Sequence, residues 1–483
     1  MQVHTLTGSS IGAKMMRSSR MVFALLLLLC FSAQSLSAQT PPPTRLIVRT
    51  SLGLPGIRNL CKLLGCSTIE ELGDPQGQLF MVQLPTPIGA GLSRLLSSLP
   101  FGIVDLETDQ TVQTQGAAAG SAPSYLDDTA PYTYYGTTVW HGYVYQPGNE
   151  LVRTDQTHAA FNVAGSGVTV AVIDTGVDPN NTVLQNSLVA GYDFTRNQSG
   201  GSEMNDWQQS SVPPPDNTTQ AAQVSQSAVA VLDQSAVAVL DGNPQYAAFG
   251  HGTMTSGIVH LVAPQASIMP LKAFQSNGTG YDSDILRAIY YAVNNGAHVI
   301  NMSFNYASYS QELANAINYA TNNGLICVAA AGNSGEQATV YPAALKNVID
   351  VASTSNDDAP STFSNYGAPP VWLAAPGEGI MTTYPFNTYA AGWGTSFSTP
   401  FVSGTAALLA SMYSAQAGTN ASASIGQVSL SVSSEATASA PSSQPQAANA
   451  VSNAQSIPYP QMGYGRLDTY QATQAWQTNL GLY

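Results

Sequence analysis

Apolar and polar positions change rhythm twice along this chain. Between residues 45 and 113 the runs are short. Arg45–Thr50, Gln78–Leu84 and Ile103–Asp109 with Val112 read as strands, and spacings of three and four over Ile57–Leu64 and Leu92–Leu99 predict helices. A β-α-β-α-β order of this length predicts a small α+β unit. From about residue 150 the strands become runs that are apolar on both sides: Val168–Ile173, Ser267–Leu271, His298–Ser303, Leu325–Ala331, Val348–Ala352 and Val371–Ala374. Helical runs such as Asp282–Asn294 and Gln311–Asn322 lie between them. That pattern predicts an α/β fold around a buried, mainly parallel sheet.

Two stretches break the second rhythm. Residues 197–246 are polar and contain a tandem copy, Gln226–Asp233 followed by Gln234–Asp241, each reading Gln-Ser-Ala-Val-Ala-Val-Leu-Asp. Each copy alternates well enough for a strand, so the two are expected to form a hairpin. Two copies are too few for a solenoid. Residues 415–456 are rich in Ser, Ala and Gln and predict a surface loop, with a short helix over 447–454.

Charge and the N-terminus narrow the setting. Lys14, Arg17 and Arg20 precede the apolar run Met21–Phe31, and small residues follow at Ser35, Ser37 and Ala38. The run is short for a membrane span and reads as an export signal over 1–38, with Met15 or Met21 as alternative starts. Beyond Thr114 six basic residues face 22 acidic ones, which excludes nucleic-acid or anionic-membrane binding by charge. Cys61 and Cys66 are close enough in sequence to pair after export, whereas Cys327 sits in an apolar strand and reads as core. No cysteine spacing suggests zinc.

The chemistry is carried by three short motifs. Val170–Asp174 is an apolar strand ending in a carboxylate, followed by Thr175-Gly176, and such strand ends are where α/β sheets build sites. Gly250-His251-Gly252-Thr253 sets an imidazole between two glycines at a helix start. Gly394-Thr395-Ser396, running into Pro400 and the Ala-rich stretch to Leu409, delivers a serine to a helix N-terminus. Alone, that serine could be an N-cap; at such a position it could equally be a nucleophile beside unpaired N–H groups.

In the order Asp, His, Ser, these motifs resemble the subtilisin-like serine proteases, the subtilases. Ala329–Gly335, with Asn333, resembles the segment that supplies the family's oxyanion-hole asparagine. The likeness covers about 150–413 and the closing segment Gly463–Ala472. It implies a three-layer α/β fold with a mainly parallel central sheet, preceded by a small α+β prodomain. The division it implies is a signal peptide at 1–38, an inhibitory prodomain at 39–114, a linker and mature N-terminal segment at 115–149 with a cleavable stretch at 114–123, and a catalytic domain at 150–483 with inserts at 197–246 and 415–456.

The resemblance also implies roles. Asp174, His251 and Ser396 would be the acid, base and nucleophile, with Asn333 as oxyanion donor. Ser303, Phe304 and Asn305 would line one side of an extended peptide, and Gly278, Thr279 and Gly280 the other. The expected product is a secreted endopeptidase, extracellular or periplasmic and monomeric, acting on protein or peptide substrates. Its own prodomain would act as intramolecular inhibitor, with no stable membrane anchor and no nucleic-acid partner. Alternatives are a processing protease with few targets and a catalytically silent binding module.

Several positions depart from the family pattern. Met254 replaces a histidine and is expected to pack within a helix. Ile258–Pro264 leaves no room for the loop that usually holds calcium, so the usual tight calcium site is expected to be absent; no cofactor is expected to be required, with calcium elsewhere left open. Asp178, Asp282 and Asp284 then read as solvated or capping, and Glu336 could line the first specificity pocket or face water. An acidic surface of this kind also suggests activity or stability in acid.

Overall fold

The computed structural model describes residues 44–85, 101–113, 123–207, 222–225, 228–231, 244–367, 371–417, 462–463 and 465–479. The leader, the 92–99 helix, the 114–122 linker, the second repeat copy and the 447–454 helix lie outside them.

The first unit is built from β1 (Thr44–Thr50), α1 (Gly53–Leu64), β2 (Thr68–Glu71), β3 (Leu79–Leu84) and β4 (Ile103–Thr108). Its antiparallel sheet has the order β2-β3-β1-β4; β2 is an addition to the expected order. Alternation along β1 explains its two faces. Leu46 and Val48 pack toward α1 with Phe80 and Val82, while Ile47 joins a larger cluster that includes Ile285, Ile289 and Leu313 of the second unit. Cys61 and Cys66 form a disulfide where α1 ends in the left-handed Gly65.

The second unit is organised by β6 (Thr169–Asp174), with β7 (Tyr192–Asp193), β8 (Gln198–Ser199), β11 (Ser267–Lys272), β13 (Val299–Met302), β14 (Ile326–Ala330), β15 (Val348–Thr354) and β16 (Leu373–Pro376). The sheet order is β8-β7-β11-β6-β13-β14-β15-β16, parallel except for the β8–β7 edge. The chain winds outward from β6 through β13, β14, β15 and β16 on one side, while on the other β11 fills the place between β6 and the earlier edge strands β7 and β8; a crevice at the carboxyl end of such a strand is the usual place for a site. One face carries α3 (His251–Val262), α6 (Thr395–Ala417) and α7 (Thr469–Asn479). The other carries α4 (Asp282–Asn294) and α5 (Gln311–Asn322), giving three layers. The closing segment adds a parallel bridge from Arg466 to Ala374 and buries Trp476, whose indole N–H donates to Leu409 O at 3.0 Å.

Within the first copy, β10 (Ala228–Val231) pairs with β9 (Ala222–Ser225), which precedes the repeat; the hairpin expected between the two copies falls on residues outside those described. β9 in turn lies parallel to β18 (Thr388–Trp393), the partner of β17 (Ile380–Tyr384). An existing strand edge supplies the ladder partner that a two-strand hairpin in water lacks. The acidic residues also differ: Asp178, Asp282 and Asp284 are all buried. Asp178 does cap turns, accepting from Asn180 N and Phe386 N at 2.9 Å each. Glu336 faces water. Met254 is buried in α3, and that helix runs unbroken through Val262.

The two units meet through a polar seam beside the apolar one. Glu107 accepts from Ser310 Oγ and Gln311 N at 2.7 Å and from Glu312 N at 3.2 Å, which caps α5. Asp109 accepts from Ser283 N and Oγ at 2.9 and 2.8 Å and caps α4. Both place a carboxylate where helix N–H groups lack partners. Arg49 holds Glu312 and Asp74, and Arg287 holds Glu70.

Burial pushes Asp350 up to about 8 and Asp282 and Asp284 up to about 7. These carboxyls bind a proton more tightly folded than unfolded. The stability they lend is complete below their unfolded values and is lost as pH rises through 7 to 8. Burial lowers His260 to about 4, so its contribution is lost only as pH falls toward that value. The thermal midpoint of a full-length Ser396→Ala chain is therefore expected to be higher at about pH 6 than at about pH 9 by calorimetry. An equal or higher midpoint at the alkaline pH overturns this.

Candidate active site

Asp174 is the last residue of β6 and is 3% exposed, as is His251 at the start of α3. A buried carboxylate needs donors. Asp174 Oδ1 accepts from Thr175 N at 2.7 Å and Oδ2 from Thr255 Oγ1 at 3.2 Å. His251 Nδ1 lies 2.7 Å from Oδ1. Since a carboxylate can only accept, Nδ1 carries the proton and Nε2 is left as the basic nitrogen of the neutral ring. Close backbone approach brings the two loops together: a Cβ on Gly252 would sit 2.0 Å from Gly176 O, so only glycine fits at position 252.

Ser396 enters from the opposite side in the first turn of α6, after Gly394 at φ 145°. The ring of Phe397, the next residue, has its centroid 5.6 Å from that of His251, so the serine's turn and the imidazole share one end of the sheet. Pro400 adds a constraint. Lacking an N–H, it cannot bond the carbonyl four residues back, which is Ser396 O. Ser303 Oγ donates to that carbonyl at 2.9 Å, and Ser396 Oγ donates to Ser303 O at 2.8 Å. Asn301 Nδ2 donates to Ser303 Oγ at 2.9 Å and Asn301 Oδ1 accepts from Ser403 Oγ at 2.8 Å, so the end of β13 and the first turns of α6 are laced by one chain of bonds.

Asn333 lies in the turn after β14. Its Oδ1 accepts from Thr395 N at 2.9 Å and Thr395 Oγ1 at 3.0 Å. A backbone N–H can only donate, so this fixes the amide's orientation and leaves Nδ2 as the donor end. Thr395, Thr255 and the Ser303 hydroxyl are supports that motif reading missed. Their only signal in the sequence is adjacency to a motif or a hydroxyl at helical spacing from His251.

The peptide-lining positions divide. Phe304 is buried, its ring centroid 4.8 Å from that of Phe274, so its side chain belongs to the core. Ser303 and Asn305 are also buried. On the other rim, Thr279 and Gly280 lie in β12 (Thr279–Tyr281) and Gly278 opens that strand at φ 82°. β12 is already paired: β5 (Thr111–Gln113), from the end of the first unit, lies antiparallel to it with Thr111, Val112 and Gln113 opposite Tyr281, Gly280 and Thr279. Among the described residues no group of three or more His, Cys, Asp or Glu is arranged to hold a metal ion.

Removing the Ser303 hydroxyl should leave Ser396 O buried without its donor. Ser303→Ala is expected to lower stability by about 1–3 kcal/mol in denaturant titration of the Ser396→Ala chain; an unchanged midpoint would refute the role given to Pro400.

Residues 165–455 match the model of the Subtilase family. Thermitase of Thermoactinomyces vulgaris is 36% identical over 277 residues, 55% of this chain and 82% of that protein. A thermophilic serine proteinase of Bacillus sp. (strain AK1) is 36% identical over 293 residues, 60% of this chain and 62% of that protein. Subtilisin DY of Bacillus licheniformis is 33% identical over 270 residues, 55% of this chain and 84% of that protein. Among solved structures, a lanthipeptide protease aligns with 67% of this chain and 94% of its own, at 22% identity and a TM-score of 0.49. The chain belongs to the subtilase family, the subtilisin-like serine endopeptidases.

Proposed function

We propose that the protein is an exported endopeptidase, made as a zymogen, in which Ser396 attacks a peptide carbonyl, His251 relays the proton and Asp174 holds the imidazole. The observation that carries this reading is the 2.7 Å contact of His251 Nδ1 with a buried Asp174 that has two further donors of its own. Ser396 Oγ turns from Ser303 O to His251 Nε2 and gives up its proton as it bonds to the carbonyl carbon. The imidazolium that results is stabilised by Asp174. The oxygen that becomes negative is met by Asn333 Nδ2 and the Ser396 amide at the positive end of α6. His251 then protonates the leaving amine, and water releases the acyl group by the same route in reverse.

The first unit acts in this reading as a prodomain. Its β5 holds the hydrogen-bonding edge of β12 that a peptide would use, and one edge cannot pair two strands at once. Maturation would cut within 114–123, and the apolar leader Met21–Phe31 supports export. No described helix is long and apolar enough to cross a membrane.

Wild-type protein is expected to digest unfolded casein and to be labelled by a serine-directed phosphonate, and Ser396→Ala to do neither. Undiminished cleavage by Ser396→Ala would sink the assignment. Asn333→Ala is expected to lower kcat about 10²–10³-fold, the loss a subtilisin suffers on removal of such a donor. Charge removal at the helix caps, as Glu107→Gln with Asp109→Asn, is expected to raise the Ki of residues 39–114 supplied in trans at least about ten-fold, since each capped carboxylate makes charge-assisted bonds.

A further inference from the structure

The segment that begins at Asn197 breaks the pattern of the α/β core, yet its first turn reaches the loops that carry Asp174 and His251. Val177 N donates to Gly201 O at 2.8 Å, which seats that turn on the loop following Asp174. Glu203 opens a short 3₁₀ turn, Glu203–Asp206, and is fully buried. Its Oε2 accepts from Gly250 N at 2.8 Å and from Thr175 Oγ1 at 3.0 Å, and its Oε1 accepts from Thr253 Oγ1.

Both threonines pass the connection on. Thr175 Oγ1 accepts from Gly252 N, and Thr253 Oγ1 accepts from Asp178 N, each at 2.9 Å. Thr175 follows Asp174; Gly250, Gly252 and Thr253 surround His251. One carboxylate thus gathers donors from both loops, and each hydroxyl carries a bond from one loop to the other.

The surroundings fit an acceptor held in place. Lys272 Nζ donates to Asp206 Oδ2 and to Thr175 O at 2.8 Å each, so a buried cation anchors the same turn and the same threonine. Lys272 itself is opposite Asp174 in the β11–β6 register. The other ionisable groups nearby are Asp178 and Tyr384, both buried.

We propose that Glu203 is a positioning residue for peptide hydrolysis: its carboxylate clamps the Asp174 loop to the His251 loop and so sets the His251–Asp174 contact. The inference rests on the roles given above to Asp174 and His251. A side chain that only filled space would not need three donors aimed at it from residues next to both groups. Misplacement of a catalytic group by about 1 Å can cost about 100-fold in rate.

The test uses the full chain with Glu203→Gln, which keeps the shape but turns a donor toward one of the three donors, and with Thr253→Val, which removes one link without touching Glu203. Activity is referred to active sites titrated with a phosphonate. Both variants are expected to lose about 10- to 100-fold in kcat with KM within about two-fold. In the inactive Ser396→Ala background, the downfield Nδ1 proton resonance of His251 is expected to shift or broaden in both variants. That readout needs no turnover. If wild type neither cleaves nor labels, the endopeptidase reading falls while the resonance still decides whether Glu203 places the imidazole. A lowered thermal midpoint with unchanged kcat per titrated site and an unmoved resonance would make Glu203 a brace only and overturn the proposal. If Glu203→Gln does not fold, Thr253→Val alone decides by the same two readouts.

Discussion

A carboxylate taken out of water must be surrounded by donors, and the loops at the carboxyl end of the sheet are arranged to meet that demand at Asp174. Thr175 N, Thr255 Oγ1 and His251 Nδ1 each supply one hydrogen bond. The backbone contact at Gly252 and Gly176 allows the imidazole to come this close. Move one loop, and the carboxylate loses a donor while the imidazole loses its orienting partner. Satisfying the buried carboxylate and placing the imidazole are therefore the same requirement here.

The serine side obeys a different rule. Pro400 withholds one helical hydrogen bond, and the end of β13 supplies it from outside through Ser303. Ser396 is thereby fastened to a strand neighbouring the one that carries Asp174. Three residues from three places in the chain are held by the order of strands in one sheet, not by direct sequence proximity.

Much of this was legible in the chain. The six central strands begin and end within two residues of the apolar runs, because strands buried on both faces leave a continuous apolar signal. Asp174, His251, Ser396 and Asn333 could be picked out because each sits in a short motif where glycine or small residues permit close approach. What could not be read has physical reasons. β17 and β18 carry Thr, Gly and Tyr among their apolar residues and lack a continuous run. β9, just before the repeat, lies along an edge formed by residues far away in sequence. Glu203 lies in a polar stretch whose composition resembles a solvated loop, and only the fold reveals that its carboxylate points inward. Asp282 and Asp284 are hidden by the first unit and helix packing, neither of which shows in local polarity.

The first unit's sheet has one more property. Leu46, Val48 and Phe80 are covered from within by α1, but Ile47, Leu72, Leu79 and Met81 are covered by helices of the other unit. Parted from that neighbour, the sheet would present a greasy surface to water with nothing of its own described to hide it. Under the zymogen reading, a unit cut free would lose this shared apolar cover, and with it part of its own stability and of its resistance to any nearby peptidase.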